Sequence, residues 1–384
     1  MATVNPMRIL VTGATGYVGS RLVSQLLSQG HDVVATSRNV GRLADFGWHG
    51  DVTSVVLDAH DPTSARTAFA EAGPVEVVYY LVHGIGQPDF RLSDNAAAAN
   101  VAEAAMEAGV RRIVYLGGFV PEEGELSEHL TSRAEVAAAL SIEGGPEVVW
   151  LGAAMIIGAG STSFEMLRYV GDRFVLIPFP EWMENPMDPI SISDVVYYLV
   201  AAADADRVPA GAYDIAGPET TTYRDLLAAY GRATGKWRAS VPIRGVDTGV
   251  ASMLTAVALP VPGALAADLV ESLDHPMRAS DGLRDLVSDP PGGLIAIDEA
   301  IARSLSNGKP RPVDELTDPH HLADTDPDWA GGDTLRIQRI AKSVTPPIAR
   351  PVLSLINAVP GPVAAALRTG LDTLINLTPK VRPA

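Results

Sequence analysis

Apolar positions along the first two thirds of the chain alternate between two rhythms, short β-branched runs and longer stretches with helical spacing. Arg8-Ile9-Leu10-Val11 is a short apolar run that breaks at Gly13. From Tyr17 the apolar residues fall at Val18, Leu22, Leu26 and Leu27, and Gly30 ends that helix as a left-handed cap would. Residues 32–36 form a second β-branched run, which closes on Ser37-Arg38. Residues 53–57 predict a third strand, ending in Asp58-Ala59, and Pro62 opens the next helix. Residues 75–82 are nearly all apolar, as a strand covered on both faces should be. An alanine-rich helix over 95–108 is capped by Gly109, strands follow at 113–116 and 147–151, and a helix over 126–140 lies between them. Beyond these, helices are predicted at 164–169 and within 189–199, the latter capped by Ser193 or Asp194. A late strand at 211–216 and a helix over 222–234 stopped by Gly235 complete the series. Sustained strand–helix alternation predicts an α/β protein with a doubly wound parallel sheet.

The opening strand–turn–helix–strand unit carries the first chemistry. Its turn reads Gly13-Ala14-Thr15-Gly16-Tyr17-Val18-Gly19. Gly13 permits a sharp turn off the strand, Gly16 lets the main chain approach a pyrophosphate, and Gly19 removes a side chain where helix meets strand. The helix N-terminus then offers unpaired N–H groups and partial positive charge to phosphates. The glycines sit in the strand and helix context that a dinucleotide-binding motif requires. Arg38, directly after the second strand, suits a ribose 2′-phosphate where an acidic residue would suit free ribose hydroxyls, so NADP(H) is expected ahead of NAD(H).

The GxxGxxG spacing resembles the short-chain dehydrogenase/reductase superfamily, and TGATGYVG resembles its atypical and extended branches. The strings YYLVHGIG, RIVYLGG, SEHLTSRAEV and IIGAGSTSFEMLRY are similar to bacterial atypical members, relatives of NmrA-like proteins and of an accessory subunit of respiratory complex I. The resemblance runs from Met7 to about Asp281. It implies a Rossmann sheet with a smaller, mainly helical substrate lobe. It also places Asp58 and Ala59 by the adenine, and Leu81, Val82 and His83 by the ribose. Asp58 reads equally well as a turn residue, and His83 as a loop histidine held by backbone.

Typical members of the superfamily pair a serine after the fifth strand with Tyr-x-x-x-Lys on the next helix. Here the serine position reads Gly117-Gly118, and the helix carries His129-Leu130-Thr131-Ser132-Arg133. His129 and Arg133 keep one turn's spacing but change the chemistry. Arginine still bonds ribose hydroxyls without releasing its proton, and histidine serves as acid or base near neutral pH. Two readings stay open: a reductase or related enzyme with His129 as proton donor and Arg133 as ribose anchor, or a non-catalytic NADP(H)-binding sensor, accessory or scaffold protein. The loop 158–166, Pro178-Phe179-Pro180 and Trp182 look like an apolar substrate wall and favour the enzyme, acting on a small or apolar carbonyl or enone.

Composition narrows the remaining choices. The 384 residues include no cysteine, which excludes disulfides, thiolate catalysis and cysteine–zinc sites. No metal is expected: His320 and His321 stand among aspartates, but adjacent positions do not put both rings on one ion. The net charge of −17 argues against nucleic acid as a partner and leaves a small-molecule substrate. With no signal-like N-terminus or membrane-length apolar run, a cytoplasmic location is expected. Residues 1–245 are read as the NAD(P)-binding domain with interleaved substrate-side elements, and 246–306 as a helical extension of the substrate lobe. Residues 307–333 are read as an acidic Pro/Gly linker and 334–384 as a basic amphipathic tail. That tail has an apolar stripe of Val363, Leu367, Leu371 and Leu374, and a second amphipathic stretch over 335–344. It is expected to pack back on the acidic domain, to form a homo-oligomer contact, or to attach peripherally to the inner face of a membrane.

Overall fold

The computed structural model describes residues 5–84, 90–119, 128–174, 176–243, 259–262, 266, 270, 272–279, 282–306, 309–333, 335, 336, 338 and 339; the side chains of 90, 128–130 and 240 lie outside that description. The apolar stripe at 363–374 lies outside it as well, as does most of the stretch 335–344.

Seven strands form one parallel sheet: β1 (Arg8–Val11), β2 (Asp32–Ser37), β3 (Thr53–Val56), β4 (Val77–Tyr80), β5 (Arg112–Gly118), β6 (Glu147–Ala153) and β7 (Gly211–Ile215). Their spatial order is β7-β6-β5-β4-β1-β2-β3. Consecutive strands run outward from β1 in one direction and from β4 in the other, so the topological switch lies between β1 and β4. Although the strand sequences are almost uniformly apolar, their side chains divide between two cores. Ile9, Val11, Val33, Ala35 and Tyr79 pack beneath α1 (Tyr17–Ser28) and α6 (Ile192–Ala202). Leu10, Val34, Val78, Tyr80 and Tyr115 pack beneath α2 (Pro62–Ala72), α3 (Phe90–Glu107) and α4 (Glu128–Leu140). The period of two along each strand sends neighbours to opposite faces, and both faces are covered.

A third core joins α5 (Thr162–Arg173), α7 (Tyr223–Thr234) and α8 (Ile297–Leu305) beyond the C-terminal end of β6. This is the smaller, helical lobe. Helix α5 runs longer at both ends than the apolar spacing over 164–169 predicts. Helix α6 is capped by Ser191, whose side chain accepts the N–H of Asp194; neither Ser193 nor Asp194 is the cap. Asp194 instead accepts the N–H of Ile295 and ties the helix to the later chain.

The largest departure from the sequence reading is the stretch 309–333. It is packed onto α1 and α5, with His320 fully buried and Val313, Ala323 and Ala330 in contact with the interior. The Arg21 guanidinium of α1 pairs with Asp326 at 2.8 Å, their side chains 2% and 3% exposed. Arg21 also donates to the carbonyls of Pro319, His321 and Ala159. Arg173 at the end of α5 makes a second buried pair with Asp333. Its Pro, Gly and Asp content reads as linker because these residues do make turns: Asp318 and Asp326 cap their own turns at the N–H groups of His320 and Ala323. The anchoring, however, comes from distant cations. The two histidines also part company here. His320 Nδ1 lies 2.6 Å from Asp318, whereas His321 Nε2 lies 3.0 Å from Ser306. Residues 282–287 likewise belong to the main body, with Leu283 and Val287 in the same core as α1 and α6. Among the described residues, no helix is long and apolar enough to cross a membrane.

Candidate functional site

The switch between β1 and β4 leaves a groove at the C-terminal ends of the strands. Gly13 leaves β1 at φ +68, a conformation that side chains rarely adopt, and a Cβ there would lie 2.7 Å from the Leu81 carbonyl oxygen. A Cβ on Gly19 would lie 2.2 Å from the Gly13 carbonyl oxygen. The third glycine thus makes room for the turn itself, whereas its expected role was contact between helix and strand. Gly16 is the N-cap of α1 and has no side chain to cap its first N–H groups. Bare main chain and a helix N-terminus therefore meet in one concavity, a fit for pyrophosphate oxygens.

Two adjoining cavities extend from this point. The first, about 400 Å³, is lined by Gly13, Thr15 and Gly16, by Ser37 and Arg38 after β2, by Asp58 and Ala59 after β3, and by Leu81, Val82 and His83 after β4. The second, about 250 Å³, shares Gly13, Gly16, Leu81 and His83 and adds Tyr17, Val18, Gly117 and Arg133. All these residues were singled out in the sequence, and chain folding gathers them from five strand ends and two helices. Ala14 is the exception: it is fully buried in the core beneath α1 and α6 and lines neither cavity. The main chain of His129 lies on the first turn of α4, and its side chain lies outside the described residues.

Several lining residues carried no sequence signal. Arg42 sits on a short 3-10 turn (Val40–Asp45) that follows β2, four residues past Arg38, and lines the same cavity with Asn39 and His60. Arg38 and Arg42 are both exposed, and neither forms an ion pair with the described residues. Asp94 of α3 is buried and accepts the N–H of Gly84 at 2.7 Å, which fixes the turn after β4. Burial raises its pKa, against the opposing hydrogen bond from Gly84 and the nearby Arg133 charge. His83 stands where the two cavities meet. Desolvation by the surrounding protein and then the Arg133 cation lower its pKa. The ring still opens to the groove, which limits that shift.

Tyr17 anchors the second cavity. The Arg21 guanidinium stacks over its ring at 4.0 Å, and its hydroxyl is buried against Gly158 with no partner among the described residues. Burial pushes the phenol well above its ordinary pKa, so it stays protonated. Tyr115 is fully buried on β5, its hydroxyl 3.5 Å from the Arg133 carbonyl oxygen, and so belongs to the core under α4. A Cβ on Gly117 would lie 2.6 Å from Trp150 Nε1, which leaves no room for a serine there.

A third, smaller cavity of about 110 Å³ opens off the second and shares Gly118, Ala153, Ala154 and Ser163 with it. Its further lining is Met155, Met166, Met187, Met277, Val270, Leu273 and Tyr223, with no charged side chain among the described residues. The expected wall contributes Ser163 and Met166 here. Phe179 and Trp182 instead pack against the helical lobe's core, and Pro178 does not line the cavity.

Comparisons with known proteins agree with this geometry. A family model described as NAD(P)H-binding matches residues 13–139. An uncharacterised protein of Mycobacterium tuberculosis is 30% identical over 227 residues, covering 59% of this chain and 23% of its own length. The chain thus spans under a quarter of the length of such mycobacterial relatives. A (4-alkanoyl-5-oxo-2,5-dihydrofuran-3-yl)methyl phosphate reductase of Streptomyces griseus is 27% identical over 269 residues, 70% of this chain and 86% of that protein. Among solved structures, a nucleoside-diphosphate-sugar epimerase of Staphylococcus aureus superposes with a TM-score of 0.62 at 19% identity, over 77% of this chain and 100% of that one. The Bordetella bronchiseptica enzyme WbmH in complex with NAD+ gives 0.57 at 18%, over 77% and 96%. These structures share the fold, and the family model names the ligand class, a nicotinamide dinucleotide. With its glycine cradle, seven-stranded parallel sheet and matched segment 13–139, the chain carries a Rossmann-type NAD(P)H-binding domain.

Proposed function

We propose that the protein is an NADP(H)-dependent reductase of a small or apolar carbonyl or enone. The phosphate preference rests on Arg38 and Arg42, two cations with no ion pair among the described residues, lining the ribose end of the cavity in a chain of net charge −17. A 2′-phosphate offers both a charge-assisted contact, whereas a ribose hydroxyl offers them little. The adenine end falls to Asp58 and Ala59, the pyrophosphate to Gly13 and Gly16 with the first turn of α1, and the nicotinamide ribose to His83 and Arg133. When bound, the reduced dinucleotide supplies a hydride.

The observation that carries the substrate class is the methionine-lined cavity next to Gly118 and Ala154. Four thioethers make an adaptable apolar wall, and no described lining group there can neutralise a diphosphate. That favours an apolar substrate over a nucleotide sugar; the name of the Streptomyces relative, a reductase of an alkanoyl-bearing dihydrofuranone methyl phosphate, supports the reductase class and not the apolar character. The sensor reading is favoured by one feature, the glycine pair where typical enzymes carry serine. One experiment separates the two: NADPH oxidation with a panel of apolar ketones, enones and quinones. Substrate-dependent oxidation, slowed in Arg133→Ala, supports the reductase. Cofactor binding without turnover on any member supports the sensor.

A further inference from the structure

We infer that Ser163 supplies the hydroxyl that orients the substrate carbonyl, replacing the serine that β5 lacks; this rests on the reductase reading. Four residues form the neck between the nicotinamide-end cavity and the apolar cavity: Gly118, Ala153, Ala154 and Ser163. Ser163 alone among them has a polar side chain. It is half-buried and makes no hydrogen bond with the described residues. Its neighbour Ser161 is already committed, donating to the Ile156 carbonyl at 2.7 Å. Tyr223 is the other hydroxyl of the apolar cavity, but it does not line the nicotinamide-end cavity.

The two halves of this arrangement depend on each other. On β5, Trp150 blocks a side chain at 117, and Gly118 lines the neck on that side. On the other side, α5 begins at Thr162, so Ser163 sits in its first turn, where helix polarity favours developing negative charge. A carbonyl oxygen placed in the neck accepts from Ser163 while the rest of the substrate lies among the methionines. In the reaction the carbonyl carbon gains a hydride with its electron pair from the reduced nicotinamide, and the π pair moves to oxygen. That oxygen takes one proton from water. The substrate gains two electrons, the dinucleotide loses two, and Ser163 donates a hydrogen bond with no net loss of its own proton.

The test uses the full chain, with benzylideneacetone as the turnover probe and carbonyl-labelled acetophenone as the binding probe. Ser163→Ala is expected to bind NADPH as the wild type does by calorimetry. Its kcat should fall on the order of 10²-fold, as for loss of one preorganised donor, with KM little changed. Ser163→Thr, which keeps the donor, should restore most of the rate. Independently of turnover, the infrared carbonyl stretch of bound acetophenone should move to lower frequency in wild type and Ser163→Thr, and not in Ser163→Ala. An unchanged kcat in Ser163→Ala, or a carbonyl stretch identical in all three proteins, overturns the assignment. If the wild type binds NADPH and oxidises none with any probe, the reductase reading falls, and the carbonyl stretch still decides the role of Ser163.

Discussion

The first βαβ unit and the stretch 309–333 meet at α1, and both turn at glycines. The first is held by contacts near in sequence: Gly13 under Gly19, β1 beside β2. The second is held by a contact spanning 305 positions, Arg21 to Asp326. Their difference teaches that turn residues reveal their partner only when the partner is local. The two regions also share one element. Arg21 lies one helical turn beyond Tyr17, so the strap that grips Arg21 also braces the helix whose N-terminus faces the phosphates.

Substitutions can break this comparison or sharpen it. Asp326→Ala should have the largest effect, since it leaves the Arg21 cation buried without its counter-charge; about 3–5 kcal/mol of stability should be lost, read as a fall in the denaturation midpoint. A midpoint within error of wild type would mean that the strap is not anchored as described. Gly13→Ala should come next. Its left-handed backbone and the 2.7 Å approach to the Leu81 carbonyl predict a loss of dinucleotide affinity on the order of 10²-fold, measured by calorimetry beside a thermal melt that checks folding. Arg38→Ala and Arg42→Ala should each weaken NADPH by roughly tenfold, equivalent to about 1.4 kcal/mol, while leaving NADH nearly unchanged. Equal losses for both dinucleotides would remove the 2′-phosphate assignment.

A smaller effect follows from pH. Burial pushes the Asp318 carboxyl up, but hydrogen bonds from the His320 ring and N–H, with the Arg303 charge, outweigh it and hold the pKa below the usual range. A depressed carboxylate adds stability above its unfolded pKa of about 3.9 and loses it as pH falls through the lower folded value. The stability gap between wild type and Asp318→Asn should therefore be widest near neutrality and close as the solution is acidified below that range. A gap that widens on acidification would contradict the assignment. Tyr17→Phe should be nearly neutral in stability, within about 0.5 kcal/mol, because its buried hydroxyl has no partner among the described residues. A large loss would reveal a hydrogen bond made by that hydroxyl.

Legibility in the sequence followed the same division. Strands β1 to β7 and their helices were readable because apolar period and glycine stops are local signals, and the groove residues stood at strand ends that the motif dictates. Arg42 was not, since its place depends on a 3-10 turn with no apolar rhythm. The neck was not readable either. Ser163 meets Gly118 only because α5 folds back beyond β6, and no spacing along the chain encodes that approach. Ala14 stands apart for a simpler reason: a residue inside a glycine-rich turn can point its side chain into the core.

The account depends most on the main-chain cradle at the start of α1 binding a nicotinamide dinucleotide. Titrating the full chain with NADPH and NADH by calorimetry tests it most directly. One site per chain, tighter for NADPH and much weakened in Gly13→Ala, is the predicted result; no binding heat with either dinucleotide would contradict it.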